Sequence, residues 1–254
     1  MSVQTFQSDG IQIAFRDEEP ESGNGEPILL IHGFASNHMI NWVGPSWFET
    51  LKTAGYRVIA LDNRGHGQSE KLYDPALYPS RAMASDACRL LDHLEISQAR
   101  VMGYSMGARI SAFLCMDAPE RVSKVVFGGL GINMVRGIGG AEKIAQALRS
   151  DKLSDVEDAG AKAFRVFAEQ TKSDREALAT CILASRDPIT QEDVRSIAHK
   201  ALVAVGTKDD VSGDGMELVN LLPNGLFLDI TNRDHMTAVG DKIFKAGVLE
   251  FFLN

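Results

Sequence analysis

A serine with glycine two residues away on either side is a residue type and spacing with a specific chemical use. Gly103-Tyr104-Ser105-Met106-Gly107 has the pattern G-x-S-x-G, with an apolar run (99 to 103) before it and a helical pattern, ARISAFLCM, after it. A strand that reverses sharply into a helix forces its turn residue into strained φ/ψ and brings neighbouring backbones close, which glycine permits. The serine hydroxyl then projects at the carboxyl end of a sheet, beside a helix N-terminus whose free N–H groups stabilise an anion. In that context the pattern predicts a nucleophile elbow built around Ser105.

A serine hydroxyl is a poor nucleophile until a base removes its proton. Of the six histidines, His235 lies in the polar loop TNRDHM, after the last apolar run and before the final helix, at the same sheet end as the elbow. His32 in IHGF shapes its loop, His66 in RGHG reads as structural, and His38 lies in the loop after HGF. His93 is on a helix and His199 borders a strand. A carboxylate is expected after an intervening strand, to hold the imidazole tautomer and stabilise the imidazolium. ALVAVGTKDDV offers Asp209 and Asp210; Asp209, in a G-x-x-D position, is preferred, and the other acid reads as a solvated loop charge. The order Ser, Asp, His suits this arrangement on a doubly wound sheet.

Such groups converge only if a sheet aligns them. Continuous apolar runs at 27 to 31, 56 to 61, 99 to 103, 123 to 129, 201 to 206 and 225 to 230 suit a parallel sheet covered on both faces. Alternating stretches at 3 to 7 and 11 to 15, joined through Ser8-Asp9-Gly10, predict an antiparallel hairpin at its edge. Amphipathic segments separate the runs; in SRAMASDACRLLDHL, Met83, Ala87, Leu90, Leu91 and Leu94 share one face. The fold class is α/β, with a mostly parallel, eight-stranded type of sheet flanked by helices. From 132 to 196 no buried strand appears. In SDVEDAGAKAFRVFAEQ the residues Val156, Ala159, Ala163, Phe164 and Phe167 are expected on one face. Residues 132–196 therefore read as a helical insertion over one end of the sheet, with 1–131 and 197–254 as the core domain.

The chain has 254 residues, 44% of them hydrophobic, enough to bury a core without disulfides or metal. A net charge of -8 with no basic cluster argues against a nucleic-acid partner. Three scattered cysteines suit a reducing compartment. Residues 1 to 10 have neither a basic region nor an apolar core, and no run approaches a membrane span, so a cytoplasmic location is expected. The glycine-rich stretch GGLGINMVRGIGG lacks the third glycine of a dinucleotide loop, and DDVSGDG lacks the closing glutamate of a calcium loop. With no clustered Cys/His either, neither metal nor cofactor is expected. Met39, Trp42 and Trp47 are pocket-lining or core candidates.

LLIHGFAS (29 to 36), ALDNRGHGQS (60 to 69), GYSMGAR (103 to 109), VGTKDD (205 to 210) and the late His235 resemble the α/β-hydrolase superfamily, lipase/esterase-like, over nearly the whole chain. The resemblance implies an α/β-hydrolase fold, with 132–196 as a lid bounding an apolar pocket. It also implies an oxyanion hole formed by the backbone N–H groups of Phe34 and Met106. The activity implied is hydrolysis of carboxylic esters or lactones through an acyl-enzyme, on a small ester-like substrate with an apolar acyl part. Ser105, rather than an aspartate, separates the chain from the dehalogenase and epoxide hydrolase branches. Two departures stand out: Asp234 precedes the histidine where the family commonly has glycine, and so could raise its pKa or compete with Asp209. Ala108 stands where many members have glycine.

The same motifs resemble the cofactorless synthase of menaquinone biosynthesis and carbon–carbon bond hydrolases. A lyase acting on an anionic acid needs basic groups facing the pocket, for which Arg109, Arg136, Arg165 and Arg186 are candidates if they are not solvent-exposed helix charges. A non-catalytic receptor on the same scaffold would keep the triad.

Overall fold

The structure, a computed structural model, describes residues 2–254. Strands β1 (Gln4–Ser8) and β2 (Ile11–Glu18) form the expected hairpin. Asp9 and Gly10 turn it with φ of 52° and 79°, the left-handed pair whose twist matches the flanking strands. Strands β3 (Glu26–Ile31), β4 (Tyr56–Leu61), β5 (Ala99–Tyr104), β6 (Val122–Gly128), β7 (Lys200–Gly206) and β8 (Gly225–Ile230) complete one 8-stranded sheet. Its order is β1-β2-β4-β3-β5-β6-β7-β8, and only β2 runs against the rest.

Side chains alternate across the strands, so each strand feeds two cores. Leu29, Ile31, Val101, Val125 and Val203 join the cluster under helices α2 (Ser80–His93) and α3 (Met106–Asp117). Ile28, Leu30, Met102, Val126 and Leu202 join the cluster on the other face. That face is covered by α1 (Trp47–Thr53), at one end, and by a C-terminal helix, Lys242–Leu253. The chain passes from β3 to β4 on one side, whereas β5 pairs with β3 on the other. The loops after β3 and β5 consequently diverge onto opposite faces, leaving a crevice at the carboxyl ends of adjacent strands.

Helices α4 (Asn133–Arg136), α5 (Ala141–Arg149), α6 (Ala159–Gln170), α7 (Arg175–Ala184) and α8 (Gln191–Ser196) follow β6. The intervening α9 (Gly215–Val219) leads into β8, and the C-terminal helix is α10. The 132–196 segment is not uniform. Ile144, Leu148, Ala161, Ala168 and Leu178 of α5 to α7 pack into a third cluster, whereas Met134 of α4 and Val194 of α8 belong to a main-sheet core. No helix among the described residues is long and apolar enough to cross a membrane.

Two expectations are corrected. GLFLDI is an edge strand, and Leu226 and Phe227 are exposed rather than covered on both faces. On α6 the buried positions are Ala161, Arg165 and Ala168; Ala159 and Ala163 face solvent, while Phe164 and Phe167 are half-buried because they face a cavity. Arg165 lies on the inner face because its guanidinium takes the carbonyls of Ala147 (2.8 Å) and Ser150 (2.5 Å) at the end of α5. A cation there meets the negative end of the helix dipole.

Candidate active site

Ser105 ends β5 and caps α3 with φ 53° and ψ −113°, a strained conformation for a residue with a side chain. Two close approaches impose it. A Cβ on Gly103 would lie 2.2 Å from the Gly107 carbonyl oxygen, and one on Gly107 would lie 1.9 Å from that of Ile31. Only glycine at both places lets the strand fold back on the helix beneath the serine. Ala108 makes no such demand: its methyl group is fully buried in the core.

The turn after β7 and the loop after β8 meet the elbow. His235 Nε2 lies 3.0 Å from Ser105 Oγ, and its Nδ1 lies 2.8 Å from Asp209 Oδ2. A carboxylate only accepts, so Nδ1 carries the proton and Nε2 presents its lone pair to the serine hydroxyl. Asp209, not Asp210, is brought to the imidazole; Asp210 faces solvent. Asp234 is turned away, its carboxylate accepting from the N–H groups of Met236 (3.1 Å) and Thr237 (2.8 Å), so it does not compete for the ring.

Three supporting groups carried no signal in the sequence, because residue type and spacing do not show which way a hydroxyl or amide points. Ser212 Oγ donates to Asp209 Oδ2 at 2.6 Å, while the Val211 and Ser212 N–H groups each donate to Oδ1 at 2.9 Å. Burial pushes the Asp209 carboxyl up. The hydrogen bond and charge of His235, with the Ser212 donors, outweigh that and hold it below its ordinary value. Tyr104 donates its hydroxyl to the His235 carbonyl at 2.7 Å, tying the histidine loop to the elbow. Asn41 Oδ1 accepts from the Gly33 N–H at 3.0 Å and so orients the loop after β3.

That loop lies against the elbow: a Cβ on Gly33 would come 3.4 Å from Ser105 Cβ. Phe34 and Met106, the latter the first residue of α3, both border the cavity above Ser105, and among the described residues no backbone carbonyl accepts from the N–H of either. The motif around residues 60 to 69 braces this loop from below. The Asn63 N–H donates to His32 Nε2 at 2.9 Å, leaving Nδ1–H for the Gly33 carbonyl at 2.8 Å. Asp62 accepts from His38 Nδ1 (2.9 Å) and from the Gln68 N–H (2.8 Å).

The cavity measures about 540 Å³ and is lined largely by apolar side chains, Ile40, Ile144, Phe164, Phe167, Ile182 and Met236 among them. Trp42 and Trp47 are core residues and Met39 lies outside it. Of the four candidate arginines, Arg109, Arg136 and Arg186 border the cavity and Arg165 does not.

The bracing histidines have an energetic consequence. Burial drives the His66 imidazole down to about 3, and burial likewise lowers His32. Both rings are neutral when folded, whereas in the unfolded chain they bind protons below about pH 6.5. Stability contributed by the neutral rings is complete above that value and is lost as pH falls toward about 3. His66 alone should cost about 2 kcal/mol between pH 7.5 and pH 5. Urea midpoints at the two pH values check this. The loss should shrink in His66→Gln; an equal loss in both proteins would refute the assignment.

A family model described as the alpha/beta hydrolase fold matches residues 26–134. The chain is 30% identical over 253 residues to a Mycobacterium tuberculosis protein named "Putative non-heme bromoperoxidase BpoC", covering 89% of this chain and 91% of that one. Among solved structures, the enol-lactonase of Burkholderia xenovorans superposes with a TM-score of 0.82 at 20% identity, over 99% of this chain and all of that one. A hydrolase from Pseudomonas aeruginosa superposes with a TM-score of 0.80 at 23% identity, over 98% of both chains. With the family model matching residues 26–134 and a relative 30% identical over nearly its full length, the chain belongs to the alpha/beta hydrolase family.

Proposed function

We propose that the chain is a cofactor-free serine hydrolase that cleaves carboxylic esters, lactones included, through an acyl-enzyme. The observation that carries this reading is the unbroken hydrogen-bonded line from Asp209 through His235 to Ser105, ending at the floor of a largely apolar cavity. Ser105 Oγ attacks the substrate carbonyl carbon as its proton passes to His235 Nε2. Asp209 stabilises the imidazolium through Nδ1–H. The oxyanion forms between the Phe34 and Met106 N–H groups, where preorganised donors contribute roughly 100- to 1,000-fold each. His235 then protonates the leaving alkoxide, the ester bond breaks, and water repeats the sequence to release the acid.

Helices α5 to α7 serve as the lid. Phe164, Phe167, Ile144 and Ile182 form the wall against which an apolar acyl chain packs. The shared fold does not transfer a substrate from its neighbours; that choice lies in the wall.

Rapid mixing with 4-nitrophenyl esters of increasing acyl length tests the mechanism. The expected result is a burst of nitrophenol stoichiometric with enzyme, followed by slower turnover, with a preference among chain lengths set by the cavity. Folded protein that releases no burst and shows no turnover with any ester would overturn the acyl-enzyme reading.

A further inference from the structure

The cavity wall carries three arginines and neither aspartate nor glutamate. Arg136 is exposed and paired with Glu217 at 2.7 Å. Among the described residues the other two lack such a partner. Arg109 donates through Nη1 to the Met134 carbonyl at 2.7 Å and through Nη2 to that of Asp187. Arg186 donates through Nε to the Ile182 carbonyl at 3.0 Å and through Nη1 to that of Ile138 at 2.6 Å. Carbonyl dipoles orient a guanidinium without neutralising it.

The nearby acids are otherwise placed. The Asp187 carboxylate accepts the Ser80 N–H at the start of α2, and Glu142 points to solvent. Burial, and then the charge of Arg186, pull the Arg109 guanidinium below its ordinary range. Two like charges, half-buried in an apolar wall, are costly unless an anion joins them. Their N–H groups fit a carboxylate, which accepts in the plane a guanidinium offers. Both line the cavity that holds Ser105. Arg109 follows Ser105 by one turn of α3, a rise of roughly 6 Å.

We infer that Arg109 and Arg186 form a carboxylate-binding subsite, so that the preferred substrate is an ester or lactone that itself bears a free carboxylate a few bonds from the scissile carbonyl. Its kinetic consequences rest on the acyl-enzyme reading, but its binding consequence does not. Monomethyl glutarate and methyl pentanoate differ only in a carboxylate replacing a methyl group. Their hydrolysis by the full-length protein is followed in a pH-stat.

The expected result is a kcat/KM at least tenfold higher for the anionic ester, with the ratio narrowing in 0.5 M salt. Arg186→Gln should reduce the ratio about tenfold or more, and Arg186→Lys should restore part of it. A wild-type ratio of one or less would overturn the subsite even if no variant folds, as would a ratio unchanged in folded Arg186→Gln. If neither ester is cleaved, the acyl-enzyme reading fails separately. The subsite is then judged by calorimetry of glutarate binding to wild-type and Arg186→Gln protein. Binding weakened tenfold by the substitution retains it; absence of glutarate binding overturns it.

Discussion

Ser105→Ala is expected to lower kcat on a short neutral ester by about 10⁴- to 10⁶-fold while the protein stays folded. The hydroxyl hydrogen-bonds to His235 and to no other side chain, so its removal leaves the β5–α3 turn and both cores in place. Alanine also keeps the backbone demand, φ 53°, that serine already meets. What disappears is the nucleophile, and with it the acyl-enzyme. The residual rate should come from binding and from the proposed oxyanion donors, the N–H groups of Phe34 and Met106. On the proposed mechanism Ser105, His235 and Asp209 act as a unit, so adding His235→Ala to Ser105→Ala should cost almost nothing more. Steady-state kinetics on the single and double variants, with melting temperatures alongside, measure both effects. A single variant that keeps more than a few per cent of the rate would mean that the serine is not the nucleophile.

Gly107→Ala should be the most destabilising small substitution at the site. The added methyl would lie 1.9 Å from the Ile31 carbonyl oxygen and 2.8 Å from that of His32, both backbone atoms that no rotamer change can move aside. Relief requires the end of β3 and the start of α3 to separate. That separation opens the packing of Ile31 and Val101 against the helix and moves the Phe34 loop away from Met106. A loss of about 4 kcal/mol or more follows, a large share of the stability of an ordinary domain. Urea denaturation checks the prediction, with soluble yield as a first sign. A midpoint close to that of the unsubstituted protein would show that the two backbones are not in contact. Activity should fall with stability, since the same displacement misaligns the two proposed N–H donors.

The elements that set up the site were legible because their signals are local. Central strands such as 56 to 61 and 99 to 103 are apolar on both faces, which is what a covered parallel sheet demands. The elbow announced itself through two glycines required by contacts within a few residues and with the adjacent strand. Where partners are remote, the sequence was silent or misleading. GLFLDI has a buried strand's composition, yet lies at the edge. The apolar residues Phe164 and Phe167 suggested the core-facing side of α6, and instead face the cavity. Arg165 looked like a surface charge or a substrate contact, and is buried because α5 offers it two carbonyls.

By itself the sequence determined the fold class, the order Ser, Asp, His of the candidate groups along the chain and the serine at the turn, since each follows from periodicity, chain order or steric need within one βα unit. The sequence preferred Asp209 to Asp210; tertiary structure brought Asp209 to the imidazole, turned Asp234 away from His235, and recruited Ser212, Tyr104 and Asn41. Among the described residues it also left two arginines of the cavity wall, Arg109 and Arg186, without a carboxylate partner. The reason is directional. A hydrogen bond depends on where a side chain points, and that is set by strands and helices far apart in the chain being brought together at one end of the sheet.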